Sequence, residues 1–503
     1  MSQDHKKTFV MKFGGSSLGG SKEILQSVSI VKKYSGQSKL IVVCSAMGDT
    51  TDRLLKAIDH AKKGDLEKAR KTISDIRISI EKAIDQTVDD SGLRQQCAEW
   101  AKERFDEIDR VLLGISLLRD LSPRSLDYFL SFGEKLSTSI VTAALSSAGL
   151  RTRYLTGGEA GIVTDETFGS AEPVLKVTNE KLKASLLPLI DDSVIPVVTG
   201  YIAETLEGHE VITLGRGGSD YTATLIAAAI DADEVLLWTD VDGIMSADPR
   251  IIHNARILEQ ISYLEAMEMS AFGAKAMQPR ALEPAARKGI PVRIKNTFNP
   301  EVPGTLILST DDAANGVKTG VKAVGSLTNV GVVNISGTSI VGSPGTAVKI
   351  FEILKEHGVG ILMMSQSVSE NNVSLVIRRN ELPKIVRALK KDLLMEDPEV
   401  SGSSKNASSR ENNTKFSKVD YEDDVSIVAV LGRGMIGTPG IAGRVFSTVA
   451  KQGINIRMIA QGSSEINISF VIKDKDRNRA VSALHEEFVE KPLEDKPVLV
   501  NKA

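Results

Sequence analysis

The run Thr213-Leu214-Gly215-Arg216-Gly217-Gly218-Ser219-Asp220-Tyr221, followed by the apolar stretch Thr222 to Ile230, has the make-up of a glycine-loosened turn that opens a helix. Glycines let backbone N–H groups approach a ligand closely, a helix N-terminus adds partial positive charge, and Arg216 supplies a fixed cation. The stretch therefore suits a bound anion. Asp220 reads either as a helix cap or as a carboxylate that orients cationic groups beside that anion. A second candidate opens the chain: the short apolar strand Thr8-Phe9-Val10-Met11 ends at Lys12-Phe13-Gly14-Gly15-Ser16-Ser17. Strand, lysine and paired glycines make a phosphate cradle, with exposed amides and a point charge. The neighbouring stretch Gly15 to Lys22 has its Gly, Lys and Ser in the wrong order for a Walker A loop.

Further along, the polar loop Ser45 to Asp52 follows the fully apolar run Leu40 to Cys44. Open α/β folds place ligands at such strand ends, although the loop reads equally as an ordinary turn. Glu134 and Lys135 sit in the otherwise apolar, small-residue stretch Ser131 to Ser137, which makes a pocket a candidate place for Glu134 beside the solvated face that is usual for a charge pair on a helix. The loop Thr239 to Arg250 is acidic but lacks the third oxygen ligand and the distal glutamate of a calcium loop. Reception of a nucleotide base or ribose fits it better. Lys275, in Phe272-Gly273-Ala274-Lys275, lies on a helix rich in Ala and Met, where a surface lysine is the plain alternative.

These groups need a scaffold. The buried runs Leu40–Cys44, Val194–Gly200, Glu234–Trp238 and Val292–Lys295 alternate with helical patterns, as expected of a mainly parallel sheet sandwiched by helices that closes near residue 310. Asp52 to Arg119 is charged and helix-periodic, giving solvated helices. A chain of 503 residues exceeds one ordinary core. The net charge of −3, without a basic cluster interleaved with aromatics, argues against nucleic acid. Cys44 and Cys97 lack metal-ligand spacing and fit a reducing compartment. With no apolar run long enough for a bilayer and no leader-like N-terminus, the expected location is cytoplasmic.

The last third repeats itself without gaps. Gly342 to Phe351 matches Gly437 to Phe446, and Gly358 to Ile377 matches Gly453 to Ile472. Each copy reads as a small ferredoxin-like βαββαβ sandwich, and two copies can pair their sheets or helices. The expected organisation is an α/β domain over 1–310, repeats over 320–395 and 425–495, and a Ser/Asn-rich flexible linker over 396–424.

Taken in order, Lys12-Phe-Gly-Gly-Ser-Ser17, Ser131-Phe-Gly-Glu134, Thr213 to Asp220, Trp238-Thr-Asp240-Val-Asp-Gly243, Asp248-Pro-Arg250 and Phe272-Gly-Ala-Lys275 closely resemble the aspartate kinases. The resemblance spans almost the whole chain, because that family also carries two C-terminal ACT domains. It implies the amino-acid-kinase fold, ATP and Mg²⁺ as cofactors, and phosphorylation of the side-chain carboxylate of L-aspartate. Carried over by position, Lys12, Asp220 and Lys275 are the catalytic residues. Lys12, Phe13, Gly14, Gly15, Thr239, Asp240, Met245, Arg250 and Lys275 meet the nucleotide, and Thr51, Glu134, Arg216, Gly217, Gly218 and Ser219 meet the substrate. No general base is needed, since a carboxylate of reference pKa about 3.9 is already ionised at neutral pH. No protein-held metal is expected. Kinases acting on glutamate or a nucleotide monophosphate, or a catalytically silent sensor of amino acids, are the alternatives.

Two positions depart from the family's habit: Met245, where Tyr is frequent, and Asp52, where Asn is frequent. The resemblance also implies an end-product effector bound by the repeats, with Ser343, Gln366, Asn372, Gln461 and Asn467 as candidate contacts. These are neutral, and Leu362 stands where lysine-sensitive relatives show Asp, so threonine is expected; Glu370 and Glu465 leave lysine as the alternative. ACT pairing implies a homodimer or larger homo-oligomer. A monofunctional enzyme, without a homoserine dehydrogenase portion, is expected.

Overall fold

Strands apolar over most of their length cannot leave one face in water, and here they form the middle of the larger sheet. The computed structural model describes residues 6–272, 277–309, 320–337, 346–366, 372–394 and 418–491. Eight strands line up in the order Thr152–Leu155, Ile195–Thr199, Lys39–Cys44, Thr8–Phe13, Glu234–Thr239, Val292–Asn296, Thr305–Leu308, Gln260–Ser262. The first six are mutually parallel; Thr305–Leu308 turns back antiparallel on Val292–Asn296. Every residue of Ile195–Thr199 is buried, as both faces are covered. Helix boundaries follow local chemistry: Asp65, Asp90 and Ser122 each accept the N–H three residues on, and Pro123 occupies the first turn after Ser122.

The chain divides into two compact units. The first runs to Ile244 and resumes over Ile257–Ser270 and through the strands to Leu308; the second holds Met245–Arg256 and the chain from Gly320 on. In the second unit the two repeats build one six-stranded antiparallel sheet, ordered Met363–Gln366, Asn372–Arg378, Ala323–Ser336, Lys418–Leu431, Asn467–Lys473, Met458–Gln461. Of the two ways expected for the copies to pair, sheet against sheet is the one adopted. Among the described residues each repeat is βαββα, so the closing strand of the expected βαββαβ pattern is not seen there. Most of the expected linker lies outside the described residues. Its last part, Lys418 to Asp424, is not linker: it pairs with the first repeat in the register Ser336↔Lys418, which satisfies its backbone.

Met245–Arg256 interrupts the first unit in sequence but packs with the second. Ala247 and Ile252 are buried in one apolar cluster with Val324, Val428 and Phe470. Val324 N–H donates to the Ser246 carbonyl at 2.8 Å.

Candidate active site

The carboxyl ends of the parallel strands leave only loops and helix starts above the sheet, and the candidate groups gather there. Lys12, near the end of Thr8–Phe13, forms an ion pair of 2.6 Å with Asp220, both side chains 13% exposed. Asp220 is in the first turn of Gly218–Ile230, a helix buried along nearly its whole length from Tyr221 to Ala229. A helix apolar all round is fixed by packing on every side, so its first turn is a rigid mount. Removing one partner would leave a charge largely shielded from water without compensation.

The turn before that helix is built on glycine. Gly215 and Gly217 both have φ +73°, and a Cβ on Gly217 would lie 2.6 Å from Gln278 Cγ. Ser219 rests against Gly200, where an added Cβ would meet Ser219 Cβ at 2.6 Å. Gly218 is buried and Arg216 is exposed, with no ion pair among the described residues.

The lysine cradle differs from the expected one in one respect. Gly14 N–H does not face a ligand: it donates to the Trp238 carbonyl at 3.1 Å, continuing the pairing of Phe13 with Trp238 beyond the strand end. Phe13 itself is fully buried, stacked on Trp238, so it supports the loop from below rather than meeting a nucleotide through its ring. Gly15 N–H has no partner among the described residues, and the Gly15 carbonyl accepts Gly48 N–H at 3.0 Å. A Cβ on Gly15 would stand 2.9 Å from the Gly48 carbonyl oxygen and 3.2 Å from that of Ala46.

Ala46 leads to the third group. Its N–H donates to Glu134 Oε1 at 3.3 Å. Glu134 is 4% exposed, and its Oε2 is buried without a hydrogen-bond partner. Burial pushes its carboxyl up to about 8, opposed by the Ala46 amide. An orphaned buried oxygen is an acceptor lacking its donor. Thr51 is half-buried in the first turn of Thr50–Lys62, and a Cβ added at Gly133 would stand 3.0 Å from Ala46 Cβ, so glycine lets the Glu134 helix approach Ala46 closely.

Lys12, Asp220, Gly15, Ser219 and Glu134 are thus linked through Ala46, Gly48 and Gly200 into one cluster. Thr239 and Asp240, at the end of the neighbouring strand, bond each other at 3.2 Å. Met245 and Arg250 belong to the second unit; Arg250 is exposed and pairs with Asp248 at 2.6 Å, holding that carboxyl below its usual range. Lys275 lies outside the described residues, as do Ser343 and Glu370. Gln366, Asn372 and Gln461 are exposed on the sheet of the second unit, and Asn467 Oδ1 accepts the Ser469 hydroxyl at 2.7 Å. Among the described residues no three His, Cys, Asp or Glu side chains gather as for a metal, and no helix is long and apolar enough to cross a membrane.

Sequence reasoning passed over two residues. Ala46 acts through its backbone, which no side-chain pattern reveals. Asp127 is 1% exposed on the helix Pro123–Leu130 and accepts hydrogen bonds from Gly169 and Thr213; the available signal was a lone carboxylate among Leu126, Tyr128, Phe129 and Leu130.

Residues 7–296 match the model of the amino acid kinase family, and 333–393 and 428–488 match that of the ACT domain. The aspartokinase of Mycolicibacterium smegmatis is 32% identical over 95% of this chain and 95% of its own. The chain belongs to the aspartokinases. Two structures of aspartokinase III from E. coli share the fold. The complex with aspartate and ADP has a TM-score of 0.75 at 25% identity, covering 95% of this chain and 99% of that one. The complex with lysine and aspartate has 0.76 at 26%, covering 96% and 99%. Against bifunctional aspartokinase/homoserine dehydrogenase 1 of Arabidopsis thaliana the chain spans 51% of the relative's length. As an aspartokinase, the protein catalyses ATP-dependent phosphorylation of the side-chain carboxylate of L-aspartate to 4-phospho-L-aspartate, the first step of the aspartate pathway.

Proposed function

We propose that the Lys12–Asp220 pair is the centre of phosphoryl transfer and that Glu134 and Arg216 hold the two ends of the amino-acid backbone. The observation that carries this reading is the 2.6 Å ion pair linked, through Gly15 and Ala46, to a buried carboxylate with an unsatisfied oxygen. Lys12, with the Gly15 amide, neutralises charge on the transferred phosphoryl group, while Asp220 fixes the ammonium. Positioning and electrostatics are the main demands of this chemistry. Glu134 Oε2 takes the substrate α-ammonium, Arg216 grips the non-reacting carboxylate in a bidentate pair, and Thr51, Gly217, Gly218 and Ser219 add hydrogen bonds. The nucleotide enters as Mg-ATP, its metal carried by the phosphates, and Thr239 and Asp240 serve its base and ribose. Lys275 assists at the phosphates.

Hydroxylamine trapping of the acyl phosphate tests the assignment. Aspartate with Mg-ATP gives product, glutamate gives far less, and Lys12→Ala loses the signal while remaining folded. A preference for glutamate would overturn the roles of Glu134 and Arg216.

The repeats serve feedback by an amino acid derived from aspartate, in a cytoplasmic homo-oligomer. A cavity of about 370 Å³ in the second repeat is lined by Gln461, Glu465 and the glycine turn Gly437 to Gly440. The neutral amides of Gln366, Asn372 and Gln461 favour threonine. Lysine is the second reading, since Glu465 places a carboxylate in that cavity, bonded to Gly437 N–H at 2.7 Å, and E. coli aspartokinase III forms a complex with lysine. Calorimetry of the full chain with each amino acid decides: heat and inhibition with lysine alone would remove threonine.

A further inference from the structure

Asp127 is buried, and its carboxylate forms no ion pair among the described residues. Oδ2 accepts Gly169 N–H at 2.8 Å and Thr213 N–H at 3.0 Å, and Oδ1 accepts the Thr213 hydroxyl at 2.9 Å. Burying a carboxylate without a cation is costly, and an apolar residue would fill the same volume without that cost. What the carboxylate supplies instead is a three-point tie between segments far apart in sequence.

Both tied segments lead to the substrate grip. Thr213 ends the strand Val211–Thr213, and the chain passes through Leu214 and the left-handed Gly215 directly to Arg216. Gly169 belongs to the loop on which this turn rests: its carbonyl oxygen lies 3.2 Å from where a Gly215 Cβ would stand, and Ala171 N–H donates to the Thr213 carbonyl at 3.2 Å. Arg280 continues the brace, donating to the Ala171 carbonyl at 2.8 Å and stacking over Tyr221 of the Asp220 helix. On its own side, Asp127 is joined to Glu134 by a near-continuous pair of helices, Pro123–Leu130 and Phe132–Ser147, that share Ser131 as their junction.

We propose that Asp127 is a positioning residue that sets the separation of Glu134 and Arg216, and with it the fit of an amino acid's ammonium and carboxylate between them. The inference rests on the substrate roles given above to those two residues. Lys12 hangs from a different strand, and Asp220 is fixed by the packing of its own helix, so affinity for the amino acid depends on Asp127 more than the transfer step does.

Steady-state kinetics of the full chain test this with Asp127→Ala, which removes the acceptors of all three bonds, and Thr213→Val, which removes only the hydroxyl bond. The expected result is a KM for aspartate raised about tenfold or more by Asp127→Ala and about threefold by Thr213→Val, with the KM for ATP and kcat within about threefold. An unchanged aspartate KM, or kcat and both KM values worsening together with a lowered Tm, would show a merely structural residue and overturn the proposal. Should Asp127→Ala fail to fold, Thr213→Val decides by the same split. Arg216→Ala runs alongside. If it leaves the aspartate KM unmoved, the substrate roles themselves fail; if it raises that KM while the other two variants do not, only the role of Asp127 fails.

Discussion

Lys12 Nζ and Asp220 Oδ1 stand 2.6 Å apart across the mouth of a parallel sheet, one from a strand that opens the chain and the other from a buried central helix. Each is the other's counter-charge, so under the role proposed for them neither has to rearrange far when substrate binds. Preorganised charge of this kind is worth most in the transition state. Lys12→Ala and Asp220→Asn should each lower kcat by about 10²- to 10⁴-fold with smaller changes in KM for aspartate. Trapping of the acyl phosphate measures the loss, and circular dichroism confirms the fold; near-normal kcat in Lys12→Ala would remove it from the chemistry.

Glu134 gives a pH signature. Burial raises its carboxyl to about 8, so in the free protein at neutral pH it is largely protonated. An ammonium at Oε2 favours the ionised form and must displace that proton. Binding therefore releases a proton below this pKa and strengthens as pH rises through it. The aspartate KM should fall about tenfold per pH unit well below pH 8, flattening above it. Glu134→Gln should raise KM most above pH 8, where the native carboxylate is ionised, and abolish the slope; a slope that survives the substitution places the titrating group elsewhere.

Close approach rather than side-chain chemistry fixes Gly15 and Gly200. An alanine methyl at Gly15 meets the Gly48 carbonyl oxygen at 2.9 Å, and one at Gly200 meets Ser219 Cβ at 2.6 Å. In neither place is the obstacle the far end of a flexible side chain. Gly200→Ala should destabilise the first unit by about 1–3 kcal/mol, as overpacking does, and weaken aspartate binding by displacing Ser219. Thermal unfolding and KM check both effects; unchanged values would mean that the strand end yields freely.

The motif order carried much of the site, because chemistry confined to strand ends leaves its residues in short contiguous runs. Lys12, Glu134 and Asp220 were legible for that reason, and so was the repeated ACT pattern. What the sequence hid was contact between runs. Nothing in the text of Ser45 to Asp52 says that the Ala46 amide meets Glu134, and nothing in Lys12-Phe-Gly-Gly15 says that Gly14 N–H is spent on Trp238. The 396–424 stretch read as linker because composition reports hydration, not pairing; its end is a strand because a neighbouring edge was there to receive it. Met245 to Arg256 looked continuous with the kinase portion, whereas its apolar residues, Ala247 and Ile252, are claimed by the core of the other unit.

That segment is held in the second unit by a buried polar chain. Ser246 Oγ lies 2.9 Å from His485 Nε2, and His485 Nδ1 lies 3.1 Å from Glu490 Oε1, which also receives the Asn254 amide at 3.1 Å. Nε2 thus meets the Ser246 hydroxyl, and the same hydroxyl oxygen accepts Arg256 N–H at 2.9 Å. Ser246 and His485 are both fully buried, so no water replaces a lost partner. Ser246→Ala should orphan both His485 Nε2 and Arg256 N–H and cost the second unit about 1–3 kcal/mol. Adding His485→Leu removes one of those orphaned groups and should recover part of the loss, so the two substitutions are less than additive. Calorimetric unfolding of the single and double variants measures this, and strict additivity would show that the two side chains are not coupled.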